Sequence, residues 1–260
     1  MIELRDRVVL VTGGSRGVGR AIAEGLAAQG ARVTIGDVLV EAGEAVAKGI
    51  GGAARFESLD VAREADWTRV VDGILAREGR IDGLVNNAAI LHVGTIENTP
   101  PDVFRRIHEV NLIGPFLGTR AVVPPMKKQG RGAIVHIGSI DGMLGMNGIC
   151  AYAAAKWGLR GLAKSNALEL GRAGIRVNTV CPAGGNGEMF APWAGVLAKM
   201  PENVEEYLSN RAIPGDTPFE SIANAVAYLL SDASDNVTGI DLPVDGGAWN
   251  GRFMPGFNAV

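Results

Sequence analysis

The stretch that decides the fold is Arg7-Val8-Val9-Leu10-Val11-Thr12-Gly13-Gly14-Ser15-Arg16-Gly17-Val18-Gly19. Its first half, Arg7 to Thr12, is short and continuously apolar, as expected of a strand buried on both faces. Its second half is a glycine-rich turn that runs into a helix over about Gly17 to Gln29, closed by Gly30. Glycines placed between strand and helix let the backbone turn sharply and approach a pyrophosphate closely. The free N–H groups and the dipole at the helix start then favour its negative charge. A glycine turn alone is weak evidence, but this one stands where that mechanism requires it.

Working outward, the same strand-then-helix rhythm continues. Strands are predicted at Ala31–Asp37, Ala53–Leu59, Ile81–Asn86, Ala133–Ile137, Ile175–Val180 and Ile240–Val244. Helices are predicted at Glu41–Lys48, Glu64–Glu78, Asp102–Gln129 (bent near Gly114-Pro115), Tyr152–Leu170 and Phe219–Ser231. This alternation predicts an α/β fold: a parallel sheet of about seven strands, doubly wound with helices on both faces. No linker-like stretch interrupts the 260 residues, so one domain over 1–260 is expected.

Composition excludes several classes. Hydrophobic residues make up 47% and charged residues 20%, which is globular and not disordered, and 37 glycines suit a fold with many tight turns. A net charge of −3 without a basic patch or a block of like charge gives no nucleic-acid surface. No metal site is expected, and Cys150 and Cys181 form neither a CxxC pair nor a disulfide framework; they read as small buried apolar residues. The charged N-terminus soon enters a strand, unlike a signal peptide, and no apolar run reaches membrane-span length. A soluble cytoplasmic protein is the expectation.

Further along, the acidic Asp37 ends the second strand about twenty residues after the glycine turn. An acid there accepts hydrogen bonds from adenosine ribose hydroxyls and repels a 2′-phosphate, which favours NAD over NADP. Arg16 pulls the other way, since a basic residue in the turn could pair with that phosphate; Asp37 outweighs it because it sits at the hydroxyl itself.

The spacing Gly13-xxx-Gly17-x-Gly19 resembles the variant glycine motif of the short-chain dehydrogenases/reductases, and the resemblance extends over nearly the whole chain. Asn86-Asn87-Ala88-Ala89 resembles the family's NNAG element, with Ala89 in place of its glycine. Asn111, in VNLIGPF, resembles the family's helix asparagine. Ser139 follows the fifth strand, and Tyr152-Ala-Ala-Ala-Lys156 fits the YxxxK pattern. The likeness implies a Rossmann-type domain with Asn111, Ser139, Tyr152 and Lys156 as catalytic residues. It implies a dinucleotide held by Gly13, Ser15, Arg16, Gly17, Val18, Gly19, Asp37, Asn87, Ala88, Tyr152, Lys156 and Pro182, with Asp60 and Val61 against the adenine. Asp60 read alone is also a plausible helix N-cap.

The chemistry of these residue types agrees. A free phenol titrates near pH ~10, too high for an efficient base at neutrality. Lys156, at i+4, shares a helix face with Tyr152. Its charge and that of oxidised nicotinamide are expected to lower the tyrosine by about three units, roughly 4 kcal/mol. Lys156 is also expected to hold the nicotinamide ribose. Ser139 would donate to the substrate oxygen, and Asn111 would bind a water that links Lys156 to solvent.

The chain departs from the family after the sixth strand, at Cys181-Pro182-Ala183-Gly184-Gly185-Asn186-Gly187-Glu188-Met189. Ala183 replaces a glycine and Gly187 stands where a threonine is expected to contact the nicotinamide carboxamide, so backbone groups or Asn186 would have to do so. Beyond it, Met189, Trp193, Val196, Leu197 and Met200 recur at helical spacing. By resemblance this region, about 183–215, is a substrate lid with an apolar inner face; an amphipathic helix packed on the domain would show the same stripe. Met143, Leu144 and Met146 add apolar surface, and His92 reads as a pocket or a loop residue. Long segments such as KWGLRGLAKSNALELG resemble bacterial 3α/20β-hydroxysteroid dehydrogenases. That likeness implies a secondary alcohol or ketone on a steroid-like or polycyclic skeleton. The alternatives are a smaller sugar, polyol or 3-oxoacyl substrate, and a dinucleotide-binding regulator without turnover. The tail Trp249–Val260 and the helices at Asp102 and Tyr152 are expected to join subunits of a homotetramer.

Overall fold

In the computed structural model, which describes residues 3–184, 187–197 and 211–251, strand and helix alternate as predicted. β1 (Val8–Thr12), α1 (Gly17–Ala28), β2 (Arg32–Asp37), α2 (Val40–Ile50), β3 (Ala54–Ser58), α3 (Glu64–Glu78) and β4 (Gly83–Asn86) form the first half. α4 (Pro101–His108), α5 (Gly114–Gln129), β5 (Gly132–Ile137), α6 (Cys150–Leu170), β6 (Ile175–Pro182), α7 (Phe219–Leu230) and β7 (Asp241–Val244) form the second. The strands make one sheet in the order β3-β2-β1-β4-β5-β6-β7, and every pairing is parallel.

Side chains alternate across a strand, and β1 therefore feeds both layers of core. Val9 and Val11 face one layer with Ile22 and Leu26 of α1 and Val226 and Leu229 of α7. Val8 and Leu10 face the other, with Trp67 and Ile74 of α3, Val122 and Met126 of α5, and Leu170 of α6. Trp67 anchors the second layer. Its indole N–H donates to the Val61 carbonyl at 2.9 Å, and a Cβ on Gly118 of α5 would stand 2.4 Å from its ring, so only glycine lets α5 approach that closely.

The sheet order reverses between β1 and β4, which opens a crevice at their carboxyl ends, the place where doubly wound sheets bind ligands. Two element boundaries differ in an informative way. β6 continues to Pro182, because Cys181 and Pro182 pair with Pro243 and Val244. The predicted long helix is interrupted at Glu109–Ile113 by a wider π turn, in which the Gly114 N–H reaches back to the Glu109 carbonyl. Pro115 accounts for the break: it has no N–H for the carbonyl four residues earlier, which is that of Asn111.

Candidate active site

The glycine turn is built to bring backbone close to whatever fills the crevice. Gly13 adopts φ +63°, and a Cβ there would stand 2.8 Å from the Ala88 Cα. At Gly19 a Cβ would stand 2.0 Å from the Gly13 carbonyl oxygen and 2.4 Å from Asn87 Nδ2. Asn87 binds the turn to the end of β4: its Nδ2 donates to the carbonyls of Thr12 at 2.9 Å and Gly13 at 3.0 Å. Thr12 Oγ1 completes the joint by accepting from the N–H groups of Asn87 and Ala88. The side chain of Arg16, at the N-cap of α1, makes no capping hydrogen bond. The first-turn N–H groups therefore face the crevice with the positive end of the helix dipole behind them, a fit for a pyrophosphate.

Gly13, Arg16, Val18, Gly19, Asp37, Asp60, Val61, Asn87 and Ala88 line one cavity of about 470 Å³. Asp37 is buried and its charge is fixed, since one oxygen accepts from the Ser15 N–H at 3.0 Å and the other from the Leu39 N–H at 3.1 Å. Ser15 therefore helps by orienting Asp37. Asp60 does not cap α3, whose N-cap is Arg63; its carboxylate accepts instead from the Ala62 N–H at 3.0 Å. Arg16 lies 3.7 Å from Glu188 across the mouth of the cavity. A dinucleotide fits this lining, with phosphates on the turn and ribose hydroxyls toward Asp37.

The carboxyl end of β5 and the first turns of α6 bring the second group of residues together. Ser139, Tyr152 and Lys156 are all buried. The Lys156 ammonium lies 5.4 Å from the centre of the Tyr152 ring and donates to the Ile137 carbonyl at 2.7 Å. Burial lowers Lys156 to about 8. Burial also drives the Tyr152 hydroxyl well above its ordinary range, and the negative charge of Asp141 adds to that, while a hydrogen bond with Ser139 opposes it. The expected downward shift by Lys156 is therefore not produced by these side chains alone. Taking a phenolate out of water outweighs one partly desolvated ammonium.

Asn111 is buried, yet its amide is already committed: Oδ1 accepts from the Ile90 N–H and Nδ2 donates to the Ile90 carbonyl, both at 2.9 Å. The side chain fastens the π turn to the segment after β4. Its main-chain carbonyl, deprived of an α-helical donor by Pro115, is the group left to hold a water.

Part of the loop beyond Pro182 is described. The Ala183 carbonyl accepts from Thr217 Oγ1 at 2.9 Å, and Gly184 takes φ +75° against Arg211 and Asp216. Gly187 opens a helical turn, Gly187–Phe190. Glu188, Met189, Ala191 and Pro192 line the cavity beside Ile90 and Leu91. Trp193 meets His92 edge to face, 5.0 Å between ring centres, which makes His92 a lining partner. Asn186 and Met200, and the tail beyond residue 251, lie outside the described residues, as do the side chains of Val196 and Leu197. Of the two cysteines, Cys181 is buried but Cys150 is only half-buried, at the start of α6.

Two features escaped the sequence reading. Asp141, two residues past Ser139, accepts from the Ser139 hydroxyl at 3.1 Å and returns its own N–H to Ser139 Oγ at 3.1 Å. A carboxylate within the otherwise apolar stretch Ile140–Met146 was the available signal. Arg160, one turn beyond Lys156, donates to the Gly142 carbonyl at 2.5 Å and to Asp241 at 2.8 Å, so α6 and β7 brace the loop that carries Ser139.

Residues 13–248 match the family described as Enoyl-(Acyl carrier protein) reductase. The chain is 44% identical over 258 residues to a 3-alpha-(or 20-beta)-hydroxysteroid dehydrogenase of Mycobacterium tuberculosis, covering 99% of this chain and 95% of that protein. It is 39% identical over 250 residues to a cyclopentanol dehydrogenase of Comamonas testosteroni, covering 95% and 98%. Among solved structures, a gluconate 5-dehydrogenase from Burkholderia cenocepacia, in complex with NADP and tartrate, superposes with a TM-score of 0.89 at 32% identity, covering 96% and 98%. With a glycine-cradled crevice at the sheet's switch point and a buried Ser-Tyr-Lys group beside it, the chain belongs to the short-chain dehydrogenase/reductase family, oxidoreductases of secondary alcohols and ketones.

Proposed function

We propose that the protein is an NAD(H)-dependent dehydrogenase of hydrophobic cyclic secondary alcohols, hydroxysteroids foremost, with Tyr152 as the residue that moves the proton. The observation that carries this reading is the burial of Tyr152, Lys156 and Ser139 together around the end of β5, on the same carboxyl edge of the sheet as a cavity lined by the glycine turn and Asp37. When bound, the dinucleotide supplies the hydride acceptor or donor and, in its oxidised form, a positive charge.

Tyr152 takes the hydroxyl proton of an alcohol, or gives its own proton to a ketone oxygen. Lys156, held by Ile137, directs positive charge toward the phenolic oxygen and binds the nicotinamide ribose hydroxyls. Ser139 fixes the substrate oxygen, and the Asn111 carbonyl holds the water through which Lys156 exchanges protons with solvent. Gly13, Gly17, Val18 and Gly19 seat the pyrophosphate, Asp60 and Val61 flank the adenine, and Pro182 starts the loop that closes on the nicotinamide. NAD is favoured because the fixed charge of Asp37 stands where a 2′-phosphate would have to go, while Arg16 is turned toward Glu188.

A hydrophobic substrate is supported by Met189, Pro192 and Trp193 over the crevice and by Leu144 and Met146, which expose apolar surface on the loop after Ser139. Residues 183–215 are the substrate lid in this reading. Exposed Phe104, Ile113 and Phe116 on α4–α5 and Trp157 and Leu168 on α6 support a homotetramer assembled through these helices. Dependence on an intracellular dinucleotide pool supports a cytoplasmic location.

The test is a panel of 3α- and 20β-hydroxysteroids, cyclopentanol, sugars and polyols, each with NAD and with NADP. Turnover of the cyclic substrates with NAD is expected. Activity confined to polyols, or a preference for NADP, contradicts the reading.

A further inference from the structure

Ser139 has one hydroxyl hydrogen and two claims on it. The substrate oxygen needs it as a donated hydrogen bond, but in the structure it goes to Asp141, whose carboxylate oxygen lies 3.1 Å from Ser139 Oγ. The Asp141 N–H simultaneously donates to Oγ at 3.1 Å, which occupies one of the oxygen's two lone pairs. With Asp141 ionised, the remaining lone pair is what Ser139 can offer a substrate. A ketone oxygen cannot bind to a lone pair, and an alcohol could do so only with the one hydrogen that Tyr152 must take.

We propose that Asp141 is a positioning residue that sets the direction of the Ser139 hydrogen bond and thereby whether Ser139 can donate to the substrate oxygen. As a carboxylate it draws the Ser139 hydrogen to itself and withholds it from the substrate oxygen. As a carboxylic acid it donates to Ser139 Oγ and frees the Ser139 hydrogen for a ketone oxygen. No covalent bond forms or breaks in this step; a proton taken from solvent by Asp141 reverses one hydrogen bond. The inference rests on Ser139 contacting the substrate, as proposed above.

The surroundings make the acid form accessible. Burial raises the Asp141 carboxyl above the usual range, while its hydrogen bond with Ser139 and the charge of Lys156 oppose that rise. The ionisable groups around it are Tyr152 and Lys156 on α6, Cys181 on β6, and Arg160, which holds the next residue's carbonyl. Tyr152 and Cys181 are both raised and stay protonated through neutral pH, and His136 of β5 stays neutral, lowered to about 3. Asp141, raised by burial, and Lys156, lowered to about 8, are the groups of this set whose charge can change with pH.

The experiment compares the wild type with Asp141→Asn in NADH-dependent reduction of cyclopentanone and in NAD-dependent oxidation of cyclopentanol, from pH 5 to 8. The wild-type reduction rate should fall with pH through a titration that the amide variant lacks, while the titration of Lys156 is common to both. The ratio of variant to wild-type reduction should therefore climb roughly tenfold over that range, a modest share of the ~10²–10³ that one such donor contributes. Asp141→Ala, which also frees the hydrogen, should show the same reduction profile as the amide variant. A ratio constant within about twofold at every pH is what a merely structural role gives and overturns the proposal. So does a variant that binds NADH, by fluorescence titration, yet reduces ketone at no pH. Undiminished reduction by Tyr152→Phe marks the separate case in which the assignment of the site itself is wrong.

Discussion

Replacing Asp37 with alanine probes the cofactor pocket most sharply, because the structure specifies what is gained as well as what is lost. The carboxylate is buried and held by the N–H groups of Ser15 and Leu39. Removing it takes away a charge-assisted acceptor for the ribose hydroxyls, about 1.5–3 kcal/mol, so NADH binding should weaken roughly 10- to 100-fold. For a 2′-phosphate the sign reverses. A group carrying about −1.5 to −2 charge, ~5 Å from a fixed carboxylate at an effective dielectric of ~20, is repelled by roughly 5–7 kcal/mol before screening. Halving that for solvent and salt still leaves roughly 60- to 300-fold. The substitution also exposes the Ser15 and Leu39 N–H groups as anion donors, and Arg16 can leave its 3.7 Å contact with Glu188. NADPH should therefore bind Asp37→Ala at least as tightly as NADH. Fluorescence titration with both reduced dinucleotides measures this, with thermal melting to check the fold. A variant that keeps a strong NADH preference, or a wild type that already prefers NADPH, refutes the reasoning.

Two further predictions concern the frame of the site. Gly19→Ala places a methyl 2.0 Å from the Gly13 carbonyl; overpacking of that size costs about 1–3 kcal/mol, and NADH affinity should fall about tenfold or more, with unchanged affinity as the contrary result. His136 is fully buried beside Asn86 and is lowered by burial from 6.5 to about 3. Between those values the unfolded chain binds a proton that the folded chain refuses, so stability drops as pH falls below 6.5. At pH 5 the loss is about 2 kcal/mol, or roughly 4–8 °C in Tm. His136→Asn should lose about that much less than the wild type between pH 7 and pH 5, and equal losses would contradict the assignment.

Much of this was legible because each signal was local or periodic. The apolar run before Gly13 could only suit a strand buried on both faces, and it is one. The i,i+4 spacing of Tyr152 and Lys156 needs only a helix to bring them together, and α6 provides it. What escaped depended on contacts between distant segments. The commitment of the Asn111 amide to Ile90 joins residues 21 positions apart, and that of Arg160 to Asp241 joins residues 81 apart. That burial pushes Tyr152 upward was not read, because helical spacing reports proximity to Lys156 but not depth of burial. Asp141 was passed over because its partner is a serine two residues away, and such short pairings look like ordinary turn chemistry until the turn is found at the floor of the site.

The central claim, that Tyr152 transfers the proton, is tested most directly by Tyr152→Phe, with NADH affinity and steady-state turnover measured on the same preparation. Removing one hydroxyl should leave NADH binding near the wild-type value and lower turnover by at least ~10²-fold, the contribution of a general acid–base group. A phenylalanine variant that binds NADH and turns over at close to the wild-type rate would contradict the account.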